Sequence, residues 1–335
     1  MYIIIPAYEP DQRLVQVVQD IKEELQADII VVNDGSDASY DTFYHQVEQL
    51  GATVLIHPNN LGKGAALKTA FTHIQSVSVN SDIMITVDSD GQHLIKDIVK
   101  VARATQHHPE SIVLGARAFV GKVPARSRFG NKVTAQLFRL VTGVAITDTQ
   151  TGLRGLSTEL IPWLLSLKGE RFEYEFNMLL EADRSGYDIH EVPIETVYIE
   201  GNESSHFRPI QDSIRIYSPF LKFSGASILA AIVDALALFT LVALTKNLLI
   251  SVILARLISA TTQCLLNANL VFNRSNPLLI SIVRYFLLVA VILTCNYFML
   301  KVLISIGLGL ILSKLLTETI LFILSYRVQR KFVFN

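Results

Sequence analysis

IMITVDSDGQH, residues 83–93, sets the reading of this chain. Ile83 to Val87 form a short run that is apolar at nearly every position and ends on Asp88 and Asp90, with Ser89 between them. A run of this kind, apolar throughout rather than at alternate residues, fits a strand covered by helices on both faces. Strands are expected at Tyr2–Pro6, Asp28–Asn33, Thr53–His57, Asp82–Asp88 and Ser111–Gly115, with helices near 11–25, 40–50, 63–77 and 94–106. In the first helix Leu14, Val17, Val18, Ile21 and Leu25 recur at three- and four-residue steps and share one face. The alternation predicts an α/β domain with a mostly parallel sheet. Such sheets bind ligands beyond the carboxyl ends of their strands. Those ends carry Tyr8 and Glu9, Asn33 and Asp34, and Asp88 to Asp90, so three polar clusters are expected around one crevice.

The chain's 335 residues suffice for two domains of ordinary size. A net charge of −1 gives no electrostatic case for nucleic acid as a partner. Mean hydropathy of +0.40 is high for a chain with 18% charged residues, because the average hides a split. Residues 1–222 are mixed and charged, whereas 223–326 are dominated by Leu, Ile, Val, Ala and Phe. Cys264 and Cys295, the two cysteines, lie in apolar stretches, so neither a disulfide framework nor a zinc spacing is indicated. Met1 runs straight into the first strand; no signal peptide is expected, and the front half is expected in the reducing cytosol.

Four apolar stretches, near 224–245, 248–270, 279–300 and 303–325, are each long enough to cross about 30 Å of hydrocarbon as helices. A buried soluble bundle is the competing reading. Arg274 and Arg284 flank the middle loop and Arg327, Arg330 and Lys331 close the chain, while the other loops carry Lys246 and Lys301. The positive-inside rule then places the N-terminal domain and the C-terminus in the cytoplasm, at the plasma (inner) membrane. A weak internal repeat relates Leu254-Ala-Arg-Leu-Ile to Leu312-Ser-Lys-Leu-Leu, and Leu270-Val-Phe-Asn to Phe332-Val-Phe-Asn. Under it Arg256 corresponds to Lys314. The expected division is a domain over 1–207, an amphipathic interface segment over 208–222, and a membrane domain over 223–335. Asp234, Arg256, Lys314 and Glu318 fall within the spans, where they either pair to fix packing or line a polar path.

Two carboxylates one residue apart at a strand end suit one hard cation, and magnesium or manganese shares its shell with substrate phosphates; a solvated turn is the plainer reading. Asn33-Asp34-Gly35-Ser36 reads as a turn, or as a carboxylate for a base or ribose. Asn60-Leu-Gly-Lys-Gly64 opens the third helix, where its glycines permit close backbone approach and Lys63 can face a diphosphate. It lacks the full P-loop pattern.

In combination these motifs resemble a known family. IPAYEP (5–10), VVNDGSD (31–37), NLGKGAALKTAF (60–71) and VDSDGQH (87–93) occur in the order of a family 2 glycosyltransferase with the GT-A (Rossmann-like) fold. GAR (115–117), RFGN (128–131), TDTQTGLRG (147–155), RFEYEFNMLLEA (171–182) and EVPIETVY (191–198) resemble the dolichol-phosphate-mannose-synthase-like branch. The helical half resembles a GtrA-like four-helix membrane domain. Asp88-Ser89-Asp90 stands where the branch has D-A-D, Gly115-Ala116-Arg117 where it has G-S-R, and Ser204 to Arg208 where a Ser-Lys pair is usual.

The resemblance implies inverting, metal-dependent transfer of a sugar from a UDP- or GDP-linked donor to a polyprenyl phosphate, undecaprenyl or dolichyl, at the cytoplasmic face. It places Pro6, Tyr8, Glu9, Asp34, Lys63 and Asp88 around the nucleotide. It gives Mg2+ or Mn2+ to Asp88, Asp90 and Gln92, and the acceptor phosphate to Arg117, Arg128 and Arg208. Asp148, Glu173 and Glu175 would orient the donor sugar or else hold the arginines; Asp88, Asp90, Asp148, Arg117 and Arg128 form the catalytic set. The product would serve cell-envelope glycans or protein glycosylation. A membrane domain that flips the lipid-linked sugar is the alternative reading, and a homo-oligomer, a tetramer by analogy, is an expectation of the same kind. A processive synthase is disfavoured, because Trp163, the one tryptophan, follows Pro162 instead of closing a Q-x-x-R-W motif.

Overall fold

The computed structural model describes residues 1–78, 82–117, 125–195, 209–272, 274 and 276–334, and their side chains except those of 125–129, 137, 141, 209, 210, 212 and 216. It divides the chain into two compact units, Met1–Ile216 and Tyr217–Asn335.

Among the described residues the first unit is built on seven strands: β1 (Tyr2–Ala7), β2 (Asp28–Asn33), β3 (Thr53–Ile56), β4 (Ile83–Thr86), β5 (Ile112–Arg117), β6 (Arg154–Ser157) and β7 (Ile189–Ile194). Their spatial order is β3-β2-β1-β4-β6-β5-β7, and all neighbouring pairs are parallel except those made by β6. The five expected strands are present, shifted at their ends by up to two residues. β6 and β7 are additional. Ile3, Ile4 and Ile5 of the central β1 are wholly buried, each contributing about 1.5–3 kcal/mol of transfer free energy. Chain order reverses between β1 and β4, which opens a crevice at their carboxyl ends.

The helices that cover this sheet follow from apolar spacing and local caps. α1 (Gln12–Glu24) begins at Asp11, whose side chain accepts from the Arg13 amide, and buries Leu14, Val15, Val17, Val18 and Ile21. α2 (Asp41–Gln49), α3 (Lys63–Val77), α4 (Ile95–His107), α5 (Ala125–Thr142), α6 (Ile161–Ser166), α7 (Glu173–Ser185) and α8 (Pro209–Ile216) follow. α8 covers only part of the segment expected at the interface. Residues from Ser218 onward belong instead to the next helix.

The second unit is helical: α9 (Ser218–Thr245), α10 (Leu248–Leu266), α11 (Leu278–Ser305) and α12 (Leu310–Val328). Ser218–Thr245, Leu248–Val271 and Leu278–Ser305 have mean hydropathies of 2.4, 1.8 and 2.5 and are long enough to cross a bilayer. α12 carries Lys314, Glu318 and Arg327 along its 19 residues. It starts later than expected, because Gly307 takes a φ of 92° and Gly309 caps the new helix.

The internal repeat has a clear register. α10 and α12 begin 62 residues apart (310 − 248), and each runs into a π-helical turn, Asn267–Val271 and Gln329–Val333, at the same offset. At this offset Arg256 matches Glu318, which corrects the expected match to Lys314. The motif Leu254–Ile258, matched to Leu312–Leu316 by apolar composition, is one turn out of step, whereas Leu270-Val-Phe-Asn and Phe332-Val-Phe-Asn are already at the 62-residue offset. Equivalent polar contacts join the helices of each copy. Asp234 faces Arg256 at 3.6 Å in the first, and Asn296 donates to Glu318 at 3.0 Å in the second. Lys314 and Glu318 pair along α12, as their four-residue spacing predicts.

The two copies meet through a buried amide pair, in which Asn267 Nδ2 donates to Gln329 Oε1 at 2.8 Å. Asn267→Ala and Gln329→Ala are each expected to cost about 1–2 kcal/mol. The double variant should lose less than the sum by about 0.5 kcal/mol or more, measured by unfolding in mild detergent. Additive losses would show that the amides do not act as a pair.

Candidate active site

At the crevice, β1 and β2 are tied together beyond their ends. The Asp34 amide donates to the Ala7 carbonyl at 2.9 Å, and the Glu9 amide donates to Ser36 Oγ at 2.8 Å. Glu9 takes a left-handed φ of 47°, turning the chain sharply after half-buried Tyr8. Pro6 lies inside β1 opposite Val32. The Asp34 carboxylate is buried and fully engaged. It accepts the amides of Leu61 at 2.9 Å and Gly62 at 2.8 Å, and it meets His57 Nδ1 at 2.8 Å. His57 Nε2 in turn meets Thr69 Oγ1 at 2.8 Å. Asp34 therefore anchors the loop that opens α3. Gly35, at a φ of 73°, lets the Asn59–Asn60 backbone pass where a Cβ would overlap it.

Anchoring that loop places Lys63. Its ammonium lies 2.7 Å from Asp88 Oδ1 and 2.9 Å from Glu175 Oε2. His93 Nε2 approaches Asp88 Oδ2 at 3.1 Å. Glu175 is backed by Arg154, whose Nε stands 3.8 Å from Oε1 and whose guanidinium is 1% exposed. Arg154 also donates to the carbonyls of Thr151 at 3.0 Å and Glu175 at 2.7 Å. Burial opposes charge on both Lys63 and Asp88, but each one's charge favours the other's. The Lys63 ammonium is held well above its ordinary pKa, and the Asp88 carboxyl, with His93 adding to Lys63, well below its own. Asp90, whose Oδ1 accepts the Gln92 amide at 3.0 Å, is pushed up by burial and by the negative charge of Asp88.

Arg117 and Asp148 form a two-pronged pair, with Nε at 2.6 Å from Oδ2 and Nη2 at 3.0 Å from Oδ1. Asp148 is wholly buried and also accepts the amides of Arg117 at 3.2 Å and Gln150 at 3.0 Å. Glu173 sits at the head of α7 and accepts the amides of Glu170 at 3.1 Å and Arg171 at 3.3 Å. Arg208 and the side chain of Arg128 lie outside the described residues. The structure thus brings Lys63, Asp88, Asp90 and Glu175 together, with Arg117 on Asp148.

Sequence reasoning missed His57, His93, Gly152 and Arg154. Three of these had a signal: His93, Gly152 and Arg154 lie inside the quoted motifs VDSDGQH and TDTQTGLRG. His57 had none, since only the folded chain brings it to Asp34.

Residues 2–161 match the family described as Glycosyl transferase family 2. An uncharacterized protein of Methanocaldococcus jannaschii is 30% identical over 205 residues, an alignment covering 60% of this chain and 82% of that protein. The chain belongs to glycosyl transferase family 2. Residues 222–334 match the family GtrA/DPMS, transmembrane domain, so this glycosyltransferase carries a membrane-spanning domain. It is also 29% identical over 219 residues to the UDP-N-acetylglucosamine–dolichyl-phosphate N-acetylglucosaminyltransferase of Methanococcus voltae, covering 60% of this chain and 86% of that one. Among solved structures, glucosyl-3-phosphoglycerate synthase from Mycobacterium tuberculosis aligns with a TM-score of 0.49 at 20% identity, over 66% of this chain and 75% of that chain.

Gly152 backs the Asp88 carboxylate so closely that an added Cβ would overlap both oxygens. Gly152→Ala in the glycosyltransferase is therefore expected to displace Asp88 and lower kcat by about 100-fold. Its thermal unfolding should stay near that of the unmodified protein. Full turnover by the alanine variant would show that Asp88 tolerates displacement.

Proposed function

We propose that this glycosyltransferase transfers a sugar from a nucleotide sugar to a polyprenyl phosphate at the cytoplasmic membrane face, with a divalent metal. The observation that carries the reading is the meeting of Lys63, Asp88 and Asp90 beyond β4, in a chain that also has apolar membrane-spanning helices. A phosphate-bearing donor suits that cluster, and a lipid acceptor suits the attached membrane domain. The acceptor class is further supported by the Methanococcus voltae relative, which carries dolichyl phosphate in its name.

Asp88 and Asp90 fit a magnesium or manganese ion. They are hard oxygen donors on one turn, and Asp90, pushed up by burial and by the negative charge of Asp88, carries an electrostatic load that a bound cation would relieve. When bound, that ion offsets the charge growing on the departing nucleoside diphosphate. Gln92 is the third proposed ligand. Pro6, Tyr8, Glu9 and Asp34 lie along the nucleotide end of the crevice. Asp34 acts there by fixing the Asn60–Gly62 backbone, and Lys63 supplies positive charge toward the diphosphate. Glu173 and Glu175 flank the donor sugar from the head of α7.

Arg117, Arg128 and Arg208 receive the acceptor phosphate, with Asp148 orienting Arg117. A phosphate monoester has its second pKa near about 6 and is already an anion at neutral pH. The acceptor then needs positioning and charge complement, and attack on the far side of the departing diphosphate inverts the anomeric centre. α12 serves as the fourth span, its Lys314–Glu318 pair lowering the cost of charge in hydrocarbon. An even number of spans returns the C-terminus to the catalytic side, consistent with Arg274 before α11, Arg284 in its second turn and the basic residues at the chain end.

The test is a panel of UDP- and GDP-sugars with undecaprenyl or dolichyl phosphate and Mg2+ or Mn2+, in detergent, with products weighed by mass spectrometry. One polyprenyl phosphosugar is expected, and Asp90→Asn should make it about 100-fold more slowly or worse. Absence of any such product from every donor, or full activity in the Asn variant, overturns the reading.

A further inference from the structure

We infer that Lys63 and the divalent metal compete for Asp88, so that metal binding is coupled to the arrival of a nucleoside diphosphate. The inference rests on the metal reading above and goes beyond it.

Asp88 cannot move freely away from Lys63. Its carboxylate is held between the ammonium on one side and the Gly152 backbone on the other, with His93 on the second oxygen. Lys63 is similarly held: Asp34 fixes the preceding loop at Leu61 and Gly62, and the side chain is only 14% exposed. A divalent ion bound to Asp88 is therefore a like-charged neighbour of the ammonium, both using the same carboxylate in a site partly shielded from water. At close range and reduced dielectric that repulsion is large.

Two features give Lys63 an alternative position. Glu175 already accepts it at 2.9 Å and is itself anchored by buried Arg154, so the ammonium can keep one carboxylate while yielding the other. A donor diphosphate brings further negative charge toward both cations. It offers Lys63 a new partner and fills metal positions that the two aspartates leave open. Metal and nucleotide should then each raise the other's affinity by the same factor, as linkage requires.

The experiment uses the full-length protein in detergent, with Mn2+ as the probe and free Mn2+ followed by electron paramagnetic resonance, with and without UDP or GDP. The unmodified protein is expected to bind Mn2+ weakly alone, and about tenfold or more tightly with nucleotide. Lys63→Met should bind Mn2+ alone about tenfold more tightly than the unmodified protein. Lys63→Arg, which keeps the charge, should stay weak, and Glu175→Gln should weaken Mn2+ binding by leaving Lys63 to Asp88. Unchanged or weaker binding of Mn2+ alone to Lys63→Met overturns the competition. If Asp90→Asn still abolishes Mn2+ binding in the presence of nucleotide, the metal reading survives that result. If the unmodified protein binds no Mn2+ even with either nucleotide, the metal reading fails and takes the inference with it.

Discussion

A chain of alternating charge runs from buried Arg154 and Glu175 to half-buried Lys63 and Asp88. Removing Lys63 would leave the Asp88 and Glu175 carboxylates without the cation they share, and removing Glu175 would leave Lys63 and Arg154 without the anion they share. The four side chains come from β6, α7, α3 and the turn after β4, so the chain also ties together elements distant in sequence. What permits the arrangement is the direction of β6. Because β6 runs antiparallel to β4, its first residue, Arg154, lies level with Thr86 at the end of β4. The segment leading into β6 thereby reaches the carboxyl edge of the parallel strands. That segment also supplies Gly152, whose carbonyl accepts from Thr86 Oγ1 at 2.7 Å. A parallel strand in the same place would present its far end here, and neither Arg154 nor Gly152 would reach the crevice.

A second anchor works through backbone rather than charge. Asp34 is held by two amides and one imidazole nitrogen. The consequence is positional, since the loop it holds leads into α3 at Lys63, the residue that joins the two systems. Asp34 and Asp88 thus divide the work at the strand ends. One fixes backbone and stays buried. The other keeps 31% of its side chain exposed, where a substrate can meet it.

Much of this was legible in the sequence, and the limits have physical causes. β1 to β5 announced themselves through runs of Ile and Val bounded by turn residues. β6 did not, because its four residues, Arg-Gly-Leu-Ser, contain one apolar side chain of any size and owe their place to pairing on both sides. Asp88, Asp90, Lys63 and Asp34 were identifiable because a strand end is a local property. Arg154 lies inside a quoted motif and His57 outside them all, and the partners of both are hidden in the sequence, since they are set by register and by a packed helix. The reading of Glu175 and Asp148 as residues near the sugar or near arginines remained open in the sequence, and the structure shows both in contact with arginine. In the helical half, composition aligned Arg256 with Lys314, whereas the register of the π-helical turns aligns it with Glu318. Apolar helices match each other at many offsets, and only the helix ends select one.

The engagement of Asp148 bears on the chemistry that the site can perform. A general base must offer a free lone pair to the proton it removes. Asp148 is wholly buried and accepts four hydrogen bonds, three of them from Arg117, so abstraction would require breaking a two-pronged charged pair. That arrangement is poorly suited to activating a sugar hydroxyl. It suits an acceptor that arrives already ionised, for which a rigidly aimed guanidinium is the more useful group. Asp148 holds the Arg117 guanidinium in a fixed orientation. On this argument the arginine–carboxylate pair favours an acceptor phosphate independently of the membrane helices, and the helices favour it independently of the pair.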